Sequence, residues 1–143
     1  FDSNRKILKF IKKNLNFDIE RVKILLNQLD PSSETNEQYI YKAALNGYIS
    51  KVMDKDKLIG FGCIFTRQTF LRKQAVIEDM IVDEEYRGKG YGKEILNDLI
   101  RWAKENGTDT IELTTNPKRI AANELYKSEG FKLHPPNHYL LKL

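Results

Sequence analysis

The apolar positions of this 143-residue chain change period twice, and the changes mark where helices give way to strands. In "DIERVKILLNQL", Ile19, Val22, Leu25, Leu26 and Leu29 recur at helical spacing behind Asp18, which can cap the first turn. "DPSSETN" reads as a turn, with Ser33 or Thr35 capping a second helix through "EQYIYKAAL" that Asn46-Gly47 ends. From Tyr48 the pattern alternates or runs apolar. "YISKVMD", "DKDKLIGFGCIFT" and "QAVIEDMIVD" are predicted strands, the first two joined by a tight turn over Asp54–Lys57. Ile95, Leu96, Leu99, Ile100 and Ala103 then mark one face of a helix that ends at Asn106-Gly107. "DTIELTT" is a predicted strand, and "PKRIAANELYKSEG" a helix with Pro117 in its first turn. "RKILKFI" as a first strand and "FKL" and "HYLLKL" as closing strands complete the order β-α-α-β-β-β-α-β-α-β-β. The expected class is α/β (α+β), with antiparallel hairpins first and a βαβα unit later.

Length and composition narrow the class further. Residues 1–143 suffice for one sizeable core, so a single domain is expected. With 41% hydrophobic and 31% charged residues the chain reads as an ordinary soluble protein, not a disordered one. No apolar run approaches the roughly 20 residues of a membrane span. The basic stretch "ILKFIKKNLNF" is broken by lysines and has no signal-peptide core, so a cytoplasmic protein without a membrane partner is expected. The chain opens on Phe1, not Met, so native residues are expected to be missing or replaced there. The net charge of +4 is spread along the chain, which suits a solvated basic surface better than a nucleic-acid stripe. Cys63 is the only cysteine, which excludes an intramolecular disulfide and a thiolate zinc site; its apolar neighbours make it a packed strand residue. His134 and His138 have no nearby acidic ligand, and no metal is expected.

One stretch does not fit a plain structural reading. "DEEYRGKGYGKEIL" places Gly88, Gly90 and Gly92 at alternate positions between a strand and a helix. Backbone N–H groups at such a junction, together with the helix dipole, form an anion site, and glycine lets a ligand approach without a Cβ in the way. Arg87 and Lys89 add positive charge. The spacing is neither that of the mononucleotide loop, which lacks its Lys-Ser/Thr here, nor that of the dinucleotide loop.

Arg87-Gly88-Lys89-Gly90-Tyr91-Gly92 matches R/Q-x-x-G-x-G/A, and Ala122, Leu125, Tyr126, Gly130 and Phe131 match A-x-x-L-Y-x-x-x-G-F. In both motifs, in their order and on their elements, the chain resembles the GNAT acetyltransferases from about Leu58 to its end. The resemblance implies a GNAT-type fold, a central mixed, mostly antiparallel sheet of six to seven strands flanked by about four helices. It also implies acetyl-CoA as co-substrate and a primary amine, of a small molecule, as acceptor. Arg87, Gly88, Lys89, Gly90, Tyr91 and Gly92 would hold the pyrophosphate, and the backbone of Met80, Ile81 and Val82 would pair with the pantetheine amides like an added strand. Where many members carry Asn, seven positions before the tyrosine, this chain has Arg119; Asn116, Arg119 and Asn123 are the candidates for a further polar contact to the cofactor. Dimers are frequent in the family, so a homodimer belongs to the same expectation.

The residues support a chemistry of direct transfer. From its helix alone Tyr126 reads as a core residue; the resemblance makes it the acid that protonates the leaving thiolate, a phenol of pKa about 10 serving a thiol of about 8.5. An amine of pKa about 10.4 must lose a proton before or during attack. Glu78 and Asp79 interrupt the apolar "AVIEDMIV", and strand alternation would send them to opposite faces. One then faces the acceptor pocket, while the other makes a structural hydrogen bond or meets a bulge. Glu78 is the expected base, acting through water, with simple binding of the substrate ammonium as the competing role. Tyr39, Tyr41 and the loop Arg67–Lys73 are expected on the acceptor side. The competing function is a non-catalytic acyl-CoA-binding sensor on the same fold.

Overall fold

In the computed structural model, which describes residues 5, 6, 9 and 18–143, Asp18 caps the first helix by accepting from the Arg21 N–H. This helix, α1 (Ile19–Leu29), turns Val22 and Leu25 inward. Helix α2 (Glu37–Asn46) follows, capped by Asn36, whose side chain accepts from Gln38 and Tyr39, and not by Ser33 or Thr35. Asn36 wins because it stands directly before the first helical residue, where its oxygen reaches the free N–H groups of the opening turn. Four strands come next in a single sheet of order β1-β2-β3-β4: β1 (Tyr48–Asp54), β2 (Lys57–Gln68), β3 (Lys73–Val82) and β4 (Thr110–Leu113). The pairs β1/β2 and β2/β3 are antiparallel, and β3/β4 is parallel. Between β3 and β4 lie a 3-10 turn (Glu84–Tyr86) and helix α3 (Tyr91–Glu105); helix α4 (Ile120–Ser128) follows β4.

The sheet separates two cores. On one face Ile95, Leu96, Leu99 and Ala103 of α3 pack on Ile59, Ile64, Ala75 and Ile77, with Tyr126 of α4 beside them. On the other, Val22 and Leu25 of α1 pack on Leu58, Phe61, Cys63 and Ile81. Two bulges break the strand phase. Between Val52 and Met53 the register slips against β2, and between Phe61 and Cys63 it slips against β3. Gly62 lies at the second slip, because a Cβ there would come within 2.8 Å of Ile95 and 3.0 Å of Leu99.

Among the described residues the sheet therefore has four strands, not the expected six to seven. "FKL" and "HYLLKL" form no ladder, and Leu133, Tyr139, Leu140 and Leu141 stay exposed. Pro135 and Pro136 between them supply no N–H to a neighbouring strand. Of "RKILKFI", Ile7, Leu8, Phe10 and Ile11 lie outside the described residues; Arg5, Lys6 and Lys9 are helical, not extended. Pro117 falls in the turn before α4 instead of its first helical turn.

Candidate active site

The glycine turn leads from β3 into α3 without a side-chain cap. Gly90 is the N-cap residue, in the left-handed region at φ 88, and no side-chain hydrogen bond closes the opening turn. Gly88 also has positive φ, and a Cβ at either position would meet nothing within 4 Å. These two glycines leave open space beside the first N–H groups of α3, as an anionic ligand requires. Gly92 differs: its nearest neighbour would be Leu125 at 3.4 Å, an ordinary packing distance. Lys89 reaches back over the Tyr86 ring, 5.5 Å from its centre, and Tyr86 and Tyr91 lie 6.4 Å apart. Arg87 donates from Nε to the Val82 carbonyl at 3.0 Å.

Asp83 fixes this turn to the rest of the protein. Its carboxylate accepts from Arg21 Nη2 at 2.7 Å, and its N–H donates to the Ile59 carbonyl. Arg21 also donates from Nε to the Leu58 carbonyl. Burial alone would raise the Asp83 carboxyl, but the bonds from Arg21, Glu85 and Gln28 outweigh it and hold it below its ordinary value.

The edge of β3 next to the turn is free. Pairing with β4 covers only Gln74–Ile77 against Thr110–Leu113, while β3 continues to Val82. Met80, Ile81 and Val82 therefore present a strand edge without a β4 partner, Val82 with its carbonyl taken by Arg87. At the fork lies an open cavity of about 530 Å³, lined by residues of the α1 end, β3, the β4–α4 turn and α4.

Glu78 and Asp79 both line that cavity. Strict alternation fails here because Cys63 pairs with Glu78 and Phe61 with Ile81, so β3 carries an extra residue opposite Gly62. Asp79 takes up the slip at φ 54. Partial burial raises the Glu78 carboxyl above its ordinary value, and the charge of Asp79 adds to this. Burial raises Asp79 as well. Cys63, buried opposite Glu78, has its thiol pushed up to about 12 by burial, with Asp79 and Glu78 adding to the effect, which disfavours the thiolate.

Tyr126 lies across the cavity, its ring buried and edge-on to Phe131 at 6.1 Å. Burial raises its phenol above the usual value, with Arg119 pulling the other way. Asn116 and Arg119 also line the cavity. Asn123 turns away: its Nδ2 donates to the backbone carbonyls of Asn116 and Arg119, which closes the start of α4. Tyr39 is exposed and Tyr41 buried, and neither lines the cavity. Arg67 bonds Gln74 and Glu112, and Lys73 pairs with Gln68, at the end of β3 away from Met80. Tyr39, Tyr41 and the 67–73 loop thus stand apart from this cavity, whereas Leu29 and Asp30 at the end of α1 line it.

Thr115 is the residue that sequence reading passed over. The residue lines the cavity, and its hydroxyl oxygen is buried without a hydrogen-bond partner. A signal existed: Thr114-Thr115-Asn116 is a polar run just past the C-terminal end of a strand entering a helix, a favoured place for ligands in α/β sheets. No group of three or more His, Cys, Asp or Glu side chains among the described residues could hold a metal ion. No helix among them is long and apolar enough to cross a membrane.

The sequence model described as "Acetyltransferase (GNAT) family" matches residues 18–131, a span that includes the glycine turn, the β3 fork and Tyr126. The chain belongs to that family. It is 32% identical over 92 residues to the uncharacterized N-acetyltransferase YobR of Bacillus subtilis (strain 168), covering 64% of this chain and 36% of that protein. It is 31% identical over 115 residues to the uncharacterized N-acetyltransferase YvbK of the same organism, covering 80% of this chain and 69% of the relative. The fold is shared with a putative acetyltransferase from Agrobacterium tumefaciens str. C58, with TM-score 0.76 and 22% identity over 87% of this chain and 94% of that one.

Proposed function

We propose that the chain is an acetyl-CoA-dependent N-acetyltransferase that acylates a primary amine by direct transfer. The observation that carries this reading is the free β3 edge, which joins the open glycine turn at one end to the cavity of Tyr126 and Glu78 at the other. Family membership supports it. The residues fit the co-substrate: the Gly88 and Gly90 backbone leaves room for a pyrophosphate, and Met80, Ile81 and Val82 offer a strand edge for the amides of a pantetheine arm. Acetyl-CoA supplies an activated thioester.

The residues divide the work as follows. Glu78, with its carboxyl raised, takes the proton from the acceptor ammonium through water, which frees the nitrogen lone pair to attack the thioester carbonyl. The C–N bond forms, the C–S bond breaks, and the Tyr126 phenol donates its proton to the departing sulfur, while the second proton that the nitrogen sheds as the amide forms restores the phenol through solvent. A raised phenol is fully protonated at neutral pH, as that donor must be. The buried Cys63 thiol, pushed up by burial, supports transfer without an acyl-enzyme stage.

Thermal unfolding with and without acetyl-CoA tests the binding half. Acetyl-CoA at a hundredfold excess over its Kd is expected to stabilise the protein by about 2.7 kcal/mol. No shift at any concentration would end this reading. Free-thiol release on an amine panel tests the catalytic half, since binding without release would mark a sensor.

A further inference from the structure

We propose that the acceptor is an alkyl diamine or longer polyamine, bound by a second ammonium group and free of phosphate or carboxylate. This rests on the acetyltransferase reading of the same cavity, and it names the substrate class. The chain carries +4 overall, yet three carboxylates, Asp30, Glu78 and Asp79, line the cavity against one arginine, Arg119. They arrive there by separate devices: Asp30 as the C-cap of α1, Glu78 from the strand, and Asp79 through the bulge. The carboxylates of Glu78 and Asp79 make no ion pair or hydrogen bond to any described residue. Asp30 accepts only from Ser32 and Ser33, whose hydroxyls favour its charged form.

One carboxylate is enough to deprotonate the attacking amine. Once that nitrogen has lost its proton it brings no charge, and the product amide brings none either. With Glu78 neutralised by that proton, Asp30 and Asp79 still face only Arg119 in the lining, an excess of one negative charge that a second cation on the acceptor would balance. Leu29 and Met80 line the cavity as well, and they suit a methylene spacer between the two nitrogens. A phosphate or carboxylate on the acceptor would instead meet the net acidic lining.

The test compares cadaverine, pentylamine and δ-aminovalerate, which share a chain length and one amine but differ at the far end. Free-thiol release from acetyl-CoA is expected to give cadaverine a kcat/KM about tenfold above pentylamine, the scale of one close charge pair, with δ-aminovalerate lowest. Asp79→Asn should collapse the ratio of cadaverine to pentylamine; Asp30→Asn, on an exposed helix end, is the second variant should the first fold poorly. Calorimetric binding of cadaverine to the CoA-loaded protein gives a readout independent of turnover. Tight, salt-sensitive binding that Asp79→Asn weakens supports the proposal even if no thiol is released, an outcome that would remove only the transfer reading. Turnover of pentylamine or δ-aminovalerate equal to that of cadaverine overturns the diamine proposal and leaves the acetyltransferase standing. So does an undiminished ratio in both variants, or no binding of cadaverine.

Discussion

Tyr126 shows how one side chain can be a packing residue and a candidate acid together. Its ring is buried against Phe131, the residue lines the cavity, and its hydroxyl makes no hydrogen bond to a described residue. Tyr126→Phe should therefore leave the melting temperature nearly unchanged and lower kcat about 100-fold, with acetyl-CoA affinity little altered. A loss of stability with kcat intact would reduce the residue to packing. Tyr126 was legible because a short motif marks it. The joint arrival of Glu78 and Asp79 was not, since period-two alternation holds only while the register does. The slip lies opposite Gly62 on the neighbouring strand, where Ile95 and Leu99 of α3 leave no room for a Cβ. A local pattern carries no trace of such a tertiary contact. The end of α1 was hidden in the same way: "DPSS" reads as a turn, and only the packed structure brings Asp30 to the β3 fork.

At the scale of elements, the turn into α3 assigns its glycines different jobs. Gly90 sits at φ 88 beside open space, so Gly90→Ala should destabilise by about 1 kcal/mol through left-handed strain and should weaken acetyl-CoA binding. Gly92 lies within α3 at an ordinary distance from Leu125, so Gly92→Ala should be neutral or stabilising by up to about 1 kcal/mol from helix propensity. Denaturant melts of both variants check the contrast; equal losses would mean that the turn tolerates no Cβ anywhere. Asp83 anchors the same turn to α1, and Asp83→Ala leaves the half-buried Arg21 without its carboxylate at a cost of about 3 kcal/mol. Urea unfolding would show this, and a change under 1 kcal/mol would make the pair a surface contact. Helix periods and turn glycines made α1, α3 and the three long strands legible. The Arg21–Asp83 link, 62 positions apart in sequence, was not.

Across the whole molecule, two helical layers enclose the sheet, and the acids at its fork oppose the stability that the Arg21–Asp83 pair supplies. The layered order was readable from the sequence of periods. The sheet's width was not, because a closing strand needs a partner edge and a register that "HYLLKL" does not declare on its own. The two kinds of carboxylate make opposite predictions for stability against pH. Asp83 is held below its ordinary value, so its contribution is complete above about pH 4, the unfolded value, and is lost as pH falls through the lower folded one. Glu78 and Asp79 are raised in the folded state, so the folded protein binds protons that the unfolded chain has released. Stability falls as pH rises through their folded values and is regained as pH drops back toward the ordinary carboxylate range. The unliganded protein should therefore melt highest at mildly acidic pH, just above the ordinary carboxylate range, and lower at pH 7. Asp79→Asn removes one of the opposing charges and should raise the melting temperature at pH 7 while flattening the neutral limb. Saturating cadaverine should act on the wild type in the same direction, by supplying the missing cation. A wild-type melting temperature that climbs steadily from pH 5 to 8, unaltered in Asp79→Asn, would show that these carboxylates feel no cost at the fork and would remove the electrostatic reason for a cationic acceptor.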